Sequence, residues 1–253
     1  MIESLGIVGT GHLSGFVCEG LRKTNWNGKL LVSAHNPSKA QVFQDKFGAE
    51  ILTDNQSVVE QCQAVFVAVR PMQVEAALSG LNWRPEQLLV SAMAGVKIDL
   101  LQRLAPPAVV VRTMPISSAA LCASPTSYFP ENEIVRDLLS LIGVAIAMGS
   151  EAEFEAASAN GAAYGWYFAL IDEIVQANVR AGLPKVHAKK VAIETLAAAA
   201  KVALASDESG ADILKSLATP GGVTAHGLGV LTKQQALRPW GKAFDAVISR
   251  LKG

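Results

Sequence analysis

The chain opens on an apolar run of strand length, Leu5-Gly6-Ile7-Val8, that passes without interruption into Gly9-Thr10-Gly11-His12-Leu13-Ser14-Gly15. A strand followed at once by Gly-x-Gly commits the backbone to a tight turn and then a helix. The first glycine permits the turn, the second lets the backbone approach a pyrophosphate, and the helix directs its positive end at that anion. Ser14 stands where the fingerprint asks for a third Gly or Ala, and is small enough for helix–strand contact.

The next hundred residues repeat that unit. Leu30-Leu31-Val32, Ala64 to Val69, Leu88-Leu89-Val90 and Val109-Val110-Val111 are runs of strand length, separated by helical segments such as Ser38 to Phe47 and Ser57 to Gln61. Continuous apolar runs suit strands covered on both faces, so residues 1–150 are expected to form a doubly wound α/β domain of Rossmann type. After Gly149-Ser150 the character changes. Glu151 to Arg180 and Val186 to Ala205 are rich in Ala and free of proline, with Gly182 closing one helix and Pro184 opening the next. Residues 151–253 therefore read as an all-α domain. Tyr164 to Ile171 and Leu196 to Leu204 carry more apolar surface than one layer can hide, which predicts a homodimer or higher homo-oligomer.

Hydrophobic residues make up 50% of the chain, which raises the question of a membrane. The uncharged run Leu138 to Gly149 is shorter than the ~20 residues a span needs, and Ala156 to Ile171 contains Ser158 and Asn160. Both read as buried core or subunit interface. The first residues lack a basic region and a cleavage site, so the expected location is the cytoplasm. Lys+Arg and Asp+Glu are both 22, leaving no basic excess for a nucleic acid. Cys18, Cys62 and Cys122 form no C-x-x-C pair and read as small buried residues in a reducing compartment. The four histidines, His12, His35, His187 and His226, are too dispersed for a metal site.

The second strand should end near Ser33, where NAD-specific folds place an Asp or Glu for the ribose hydroxyls. Here Ser33, His35 and Lys39 offer a hydroxyl, an imidazole and an ammonium group instead. They suit a 2′-phosphate and so NADP(H) over NAD(H). The alternative is a turn and helix cap at Asn36-Pro37-Ser38 with Lys39 in solvent. Further on, Pro220 pre-sets a turn, Gly221 and Gly222 leave N–H groups open to an anion, and the Thr224 hydroxyl follows at the mouth of a helix. A plain connecting turn with Thr224 as cap is the competing reading.

Ordered landmarks then give a resemblance. Asp54-Asn55, Val65 to Pro71, Val90 to Val96, Arg112-Thr113-Met114-Pro115 and, above all, the loop Leu217 to Leu228 with its Pro-Gly-Gly-x-Thr resemble pyrroline-5-carboxylate reductases over essentially the whole chain. The resemblance implies that Gly9, Thr10, Gly11, His12, Leu13 and Ser14 hold the pyrophosphate, with Ser33 beside the 2′-phosphate and Asn55 beside the adenosine. It implies that Ala68, Val69, Arg70 and Pro71, with Ala92, Met93 and Ala94, meet the nicotinamide half. Thr219, Gly221, Gly222, Val223 and Thr224 would cradle the substrate, backbone N–H groups on its carboxylate and the Thr224 hydroxyl on the ring nitrogen. The implied reaction reduces 1-pyrroline-5-carboxylate to proline and belongs to amino-acid biosynthesis.

Three departures accompany the resemblance. Ile116-Ser117-Ser118 replaces the usual Asn-Thr-Pro, Ala159 to Tyr164 replaces a Ser-Gly-Ser-Gly-Pro-Ala-Tyr segment, and His12 stands where Asn is common. They keep open a reductase of a related imine and a non-catalytic NADPH-binding sensor. A β-hydroxyacid dehydrogenase is disfavoured because no lysine lies between Arg136 and Lys185 to act as its acid or base.

Overall fold

Apolar runs that are hydrophobic at every position, rather than at alternate ones, need cover on both sides, and the fold supplies it. The computed structural model describes residues 2–252. In chain order its first part runs β1 (Ser4–Val8), α1 (His12–Lys23), β2 (Lys29–Ser33), α2 (Pro37–Phe47), β3 (Glu50–Leu52), α3 (Asn55–Gln61), β4 (Ala64–Val67), α4 (Val74–Leu78) and β5 (Leu88–Ser91). It continues with α5 (Ile98–Leu104), β6 (Val109–Met114), β7 (Ser124–Phe129), α6 (Glu133–Leu141) and β8 (Gly143–Ala147). The eight strands form one sheet in the order β3-β2-β1-β4-β5-β6-β7-β8. Every neighbouring pair is parallel except β6 with β7. Alternate residues of the same strand enter opposite cores: Leu5, Ile7, Leu30, Val32 and Phe66 on one face, Val8, Leu31, Val65 and Val67 on the other.

Several boundaries differ from the sequence expectation. The strand expected over Ala64 to Val69 stops at Val67, because the chain turns out towards Pro71 and Arg70 is already extended ahead of that proline. β3 and β7 add strands that no uniform apolar run marks, β7 reading Ser-Pro-Thr-Ser-Tyr-Phe, and β8 comes from the end of a run expected as buried core or subunit interface. The run Leu138 to Gly149 divides: Leu138 and Leu139 are core residues of α6, whereas β8 leaves Val144 and Ile146 exposed at the sheet edge. Cys18 and Cys62 are buried, but Cys122 is only half-buried.

The second part is helical: α7 (Glu151–Arg180), α8 (Lys185–Ala205), α9 (Gly210–Leu217), α10 (Val223–Lys233) and α11 (Arg238–Lys252). Gly182 takes φ +98° after α7, and the Leu183 N–H donates back to the Asn178 carbonyl at 3.1 Å. By packing, the chain divides into residues up to Gly161 together with those from Arg250, and a second unit, Ala162–Ser249. The composition changes earlier, at 149–151, because the first turns of α7 belong to the sheet unit: Phe154, Glu155, Ser158 and Ala159 are all buried. Within the helical unit Val175, Ala188 and Ala192 make a small core, and Trp166, Tyr167, Trp240 and Phe244 a ring cluster. Among the described residues no helix is long and apolar enough to cross a membrane.

Candidate active site

The register of the sheet gathers the residues expected at a dinucleotide. Val8 pairs with Val67, Val67 with Ser91, and Ser91 with Arg112, so the C-terminal ends of β1, β4, β5 and β6 lie side by side. The strand order reverses beside β1, and in open α/β sheets ligands bind at the carboxyl ends around such a switch point. Gly9–Ser14, Ala68–Pro71, Ala92–Ala94 and Thr113–Ile116 all leave from that edge. Gly9 sits at φ +102°, and a Cβ on it would lie 2.6 Å from the Ala68 carbonyl oxygen and 2.9 Å from the Val69 nitrogen. Its absence lets the turn after β1 pack on the segment that leaves β4. The Ala68 N–H donates to the Val8 carbonyl and the Ala92 N–H to that of Val67, both at 2.9 Å, extending the ladder past the strands.

Gly11 caps α1 with no side-chain bond, and a Cβ there would meet nothing within 4 Å. The first intrahelical bond runs from the Gly15 N–H to the Gly11 carbonyl at 3.1 Å. The N–H groups of His12, Leu13 and Ser14 therefore have no acceptor inside the helix. An open cradle, free donors and the positive end of a helix fit a pyrophosphate. Ser14 enters through its backbone only, since its buried hydroxyl donates to the Gly9 carbonyl at 2.5 Å and braces the turn.

The candidates for the 2′-phosphate are not brought to one point. Ser33 is buried at the end of β2. His35 lines a depression of about 350 Å³ with Thr53, Asp54, Asn55 and Ala77, whereas Lys39 lines another, of about 380 Å³, with Thr10, Gly11, His12 and Phe16. Asn36 caps α2 by accepting from the Lys39 N–H at 3.1 Å, with Pro37 in the first turn, so that stretch is a cap whatever else it does. In the first depression the Asn55 amide donates to the Ala77 carbonyl at 3.1 Å. A carboxylate does reach it, from a different strand end. Asp54 caps α3, accepting from the Ser57 N–H at 2.8 Å and the Ser57 hydroxyl at 2.9 Å, and these bonds hold its carboxyl below its ordinary value.

On the far side of the same edge, Met93 is buried, Ala94 and Arg70 are exposed, Val69 is half-buried, and Pro71 opens a short 3-10 turn. Beneath them lies a network that sequence pattern does not announce. Arg112 is 1% exposed, and its guanidinium reaches Glu151 at 2.6 Å and Glu155 at 3.4 Å, over the Phe154 ring at 4.6 Å. Glu151 also accepts from the Ile98 N–H at 2.9 Å and so caps α5. Its available signals are an arginine inside the β6 run and two glutamates one turn apart at the start of α7.

The glycine loop in the helical unit is a defined turn. Thr219-Pro220-Gly221-Gly222 has proline at its second position, Gly221 at φ +77° at its third, and a bond from the Gly222 N–H to the Thr219 carbonyl at 2.9 Å. That is a type II turn, whose third position favours glycine. A Cβ on Gly222 would meet the Thr219 hydroxyl at 2.7 Å, so the Thr219 side chain folds over it. Gly222, not Thr224, is the N-cap of α10, which removes the helix-cap reading of Thr224. Because the Gly222 N–H closes the turn, the donors left for an anion are those of Val223, Thr224 and Ala225, ahead of the His226 N–H bonded to the Gly222 carbonyl. Thr224 is exposed, and its hydroxyl bonds to nothing among the described residues.

Burial pushes the Cys18 and Cys62 thiols up to about 12, so neither is a nucleophile at neutral pH. Among the described residues no three His, Cys, Asp or Glu side chains group as a metal ion would require.

Residues 151–253 match the family described as pyrroline-5-carboxylate reductase dimerisation, and residues 4–95 the family described as NADP oxidoreductase coenzyme F420-dependent. A pyrroline-5-carboxylate reductase of Synechocystis is 26% identical over 245 residues, covering 92% of this chain and 91% of that protein. The crystal structure of 1-pyrroline-5-carboxylate reductase from Streptococcus pyogenes superposes with a TM-score of 0.88 at 24% identity, covering 98% of both chains. Pyrroline carboxylate reductase of Plasmodium falciparum, solved with NADP bound, gives 0.87 at 20% identity, covering 98% of this chain and 97% of that one.

Proposed function

We propose that this chain, which is similar to pyrroline-5-carboxylate reductases over most of its length, reduces the cyclic imine 1-pyrroline-5-carboxylate to proline with NADPH, as a cytoplasmic homodimer or higher homo-oligomer. In this reading residues 1–150 hold the dinucleotide and residues 151–253 supply the substrate loop and the subunit interface. The observation that carries it is the turn Thr219–Gly222 with its three unbonded N–H groups and the exposed Thr224 hydroxyl. Support for NADP(H) comes from the family matched by residues 4–95 and from the absence of a carboxylate at the end of β2.

NADPH supplies the hydride when bound. Gly11, with the N–H groups of His12, Leu13 and Ser14, would hold the pyrophosphate, and Ser33 would receive the 2′-phosphate. Ala68–Pro71 and Ala92–Ala94 would hold the nicotinamide half. The N–H groups of Val223, Thr224 and Ala225 receive the substrate carboxylate. The Thr224 hydroxyl meets the ring nitrogen, orients the ring and steadies its charge. A protonated imine is already electrophilic, so positioning alone can contribute roughly 7–11 kcal/mol of the barrier. No buried acid–base pair is needed.

The test is NADPH consumption by the purified protein against five- and six-membered cyclic imino acids and simple alcohols. Oxidation with the imines, fastest with the five-membered ring, is expected. Dinucleotide binding without turnover of any imine would leave a sensor in place of the enzyme.

A further inference from the structure

From Ile213 to Phe244 the chain carries no Asp or Glu, yet holds Lys215, Lys233, Arg238 and Lys242. In a chain with equal numbers of acids and bases, that is a marked local excess. Three of these cations converge. Lys233, at the end of α10, lines a depression of about 310 Å³ with Gln234, Gln235, Arg238, Pro239 and Lys242 from the link and the start of α11. Arg238 and Lys242 are one helical turn apart, on the same face, where like charges repel. None of the three makes an ion pair among the described residues, and Asp245, the next carboxylate along α11, does not pair with Lys242.

Ring contacts anchor the helix that presents two of these cations. Trp240, between Arg238 and Lys242, stacks on Tyr167 at 5.9 Å and meets Trp166 edge-on at 6.3 Å, while Phe244 meets Trp166 at 5.4 Å. Gln235 takes φ +51° as the left-handed residue that closes α10, with the Gln235 N–H donating to the Thr232 carbonyl at 3.0 Å and the Ala236 N–H to that of Leu231 at 2.9 Å. The Gln235 carbonyl accepts from the Arg238 N–H at 3.2 Å, closing the link onto α11. Three unpaired cations around one depression, on a segment held by ring contacts and a capped helix end, present a local positive field suited to an anion.

We propose that this depression binds a diphosphate group, free or as part of a nucleotide, separately from the dinucleotide cradle on α1. Three cations and two amide side chains spread around a depression of about 310 Å³ suit two linked phosphoryl groups better than one. The site lies at the opposite end of α10 from the Thr219–Gly222 turn.

The test is calorimetric titration of the native oligomer, with NADP⁺ present to fill the α1 cradle, using inorganic pyrophosphate, inorganic phosphate and ADP as probes. Pyrophosphate should bind once per chain, about tenfold or more tighter than phosphate. Arg238→Gln/Lys242→Gln should weaken pyrophosphate about tenfold or more and leave NADP⁺ affinity unchanged. ADP matching pyrophosphate supports a site for the free diphosphate, and ADP binding tighter supports a nucleotide. Should the double variant fail to fold, Lys233→Gln alone should still weaken pyrophosphate. Lys215→Gln, in the same acid-free stretch but outside the depression, should not. The proposal is overturned if pyrophosphate shows no saturable binding up to about 5 mM, if the variants bind it like wild type, or if Lys215→Gln weakens it equally, which would mean a diffuse field and no site.

Discussion

The two units of this chain treat the same kind of residue in opposite ways. In the sheet unit the Val, Ile and Leu of β1, β2, β4 and β5 are closed on both faces by the unit's own helices. In the helical unit, Tyr167, Phe168, Val186, Val202, Leu204 and Val230 stand exposed at 46%, 56%, 71%, 53%, 88% and 54%, over a core of Val175, Ala188 and Ala192. One half builds its stability and its ligand cradle from within. The other displays an apolar surface far larger than scattered single residues would give, and such surface is normally covered in an assembly. Preorganisation for the dinucleotide is therefore a property of one chain, whereas rigidity of the Thr219–Gly222 loop, the proposed substrate site, is expected to depend on a second copy.

The sharpest way to break that contrast is Phe168→Asp. The residue is half exposed in the single chain, so its own unit should tolerate the change. Across a two-fold interface the charge appears twice; at on the order of 4 kcal/mol for each copy the dimer should lose about 8 kcal/mol, roughly a millionfold in dissociation constant. Sedimentation at micromolar concentration should show a 26.6 kDa monomer with helical content melting ahead of the sheet. An unchanged oligomer would place the interface elsewhere.

Arg112→Met addresses the opposite side. It removes a cation that is 1% exposed and strands Glu155, itself 8% exposed, so unfolding in urea should lose about 3–5 kcal/mol. Adding Glu155→Leu should restore most of it, because well-packed apolar groups often replace a buried pair without loss. A single-variant loss below about 1 kcal/mol would show the pair to be peripheral.

Gly9→Ala and Gly11→Ala separate packing from binding within the cradle. The first forces a Cβ into the Ala68 carbonyl at φ +102° and should cost about 1–3 kcal/mol of stability as well as dinucleotide affinity. The second places a methyl in open space, so the melting temperature should hold while NADPH binding weakens. Equal melting temperatures for both would contradict the close approach of the two turns.

The smallest effect concerns Asp54. Its carboxyl titrates below its ordinary 3.8 because the Ser57 N–H and hydroxyl stabilise the anion. A depressed value contributes stability that is present above the unfolded pKa and lost as pH falls through the folded one. Asp54→Asn should thus be slightly less stable than wild type at neutral pH, with the two curves converging in acid below that value. A difference that persists there would assign the effect to packing.

These contrasts also mark what could be read from sequence. Leu5 to Gly11 specified a strand, a turn and a helix because each step has one local solution, and Gly182 and Pro184 set the α7–α8 junction for the same reason. β7 and β8 were not legible. Ser124 to Phe129 is polar, and it becomes a strand only because β6 offers it an antiparallel edge. The Pro-Gly-Gly loop was legible as a turn, but not which N–H closes it, since that depends on the bond from Gly222 to Thr219. Nor could spacing show that Lys39 and His35 open on different depressions, or that Asp54 would enter the one beside His35.

The most direct measurement concerns Thr224. Its hydroxyl is exposed, is not the helix cap, and follows a turn beyond which the N–H groups of Val223, Thr224 and Ala225 have no acceptor in the helix. Steady-state rates of NADPH oxidation with 1-pyrroline-5-carboxylate, beside NADPH binding constants, should be compared for wild type, Thr224→Ala and Thr224→Ser. The account predicts a fall in kcat on the order of 10²-fold for alanine, most of the activity kept by serine, and equal NADPH affinity for all three. Wild-type kcat in Thr224→Ala would contradict it.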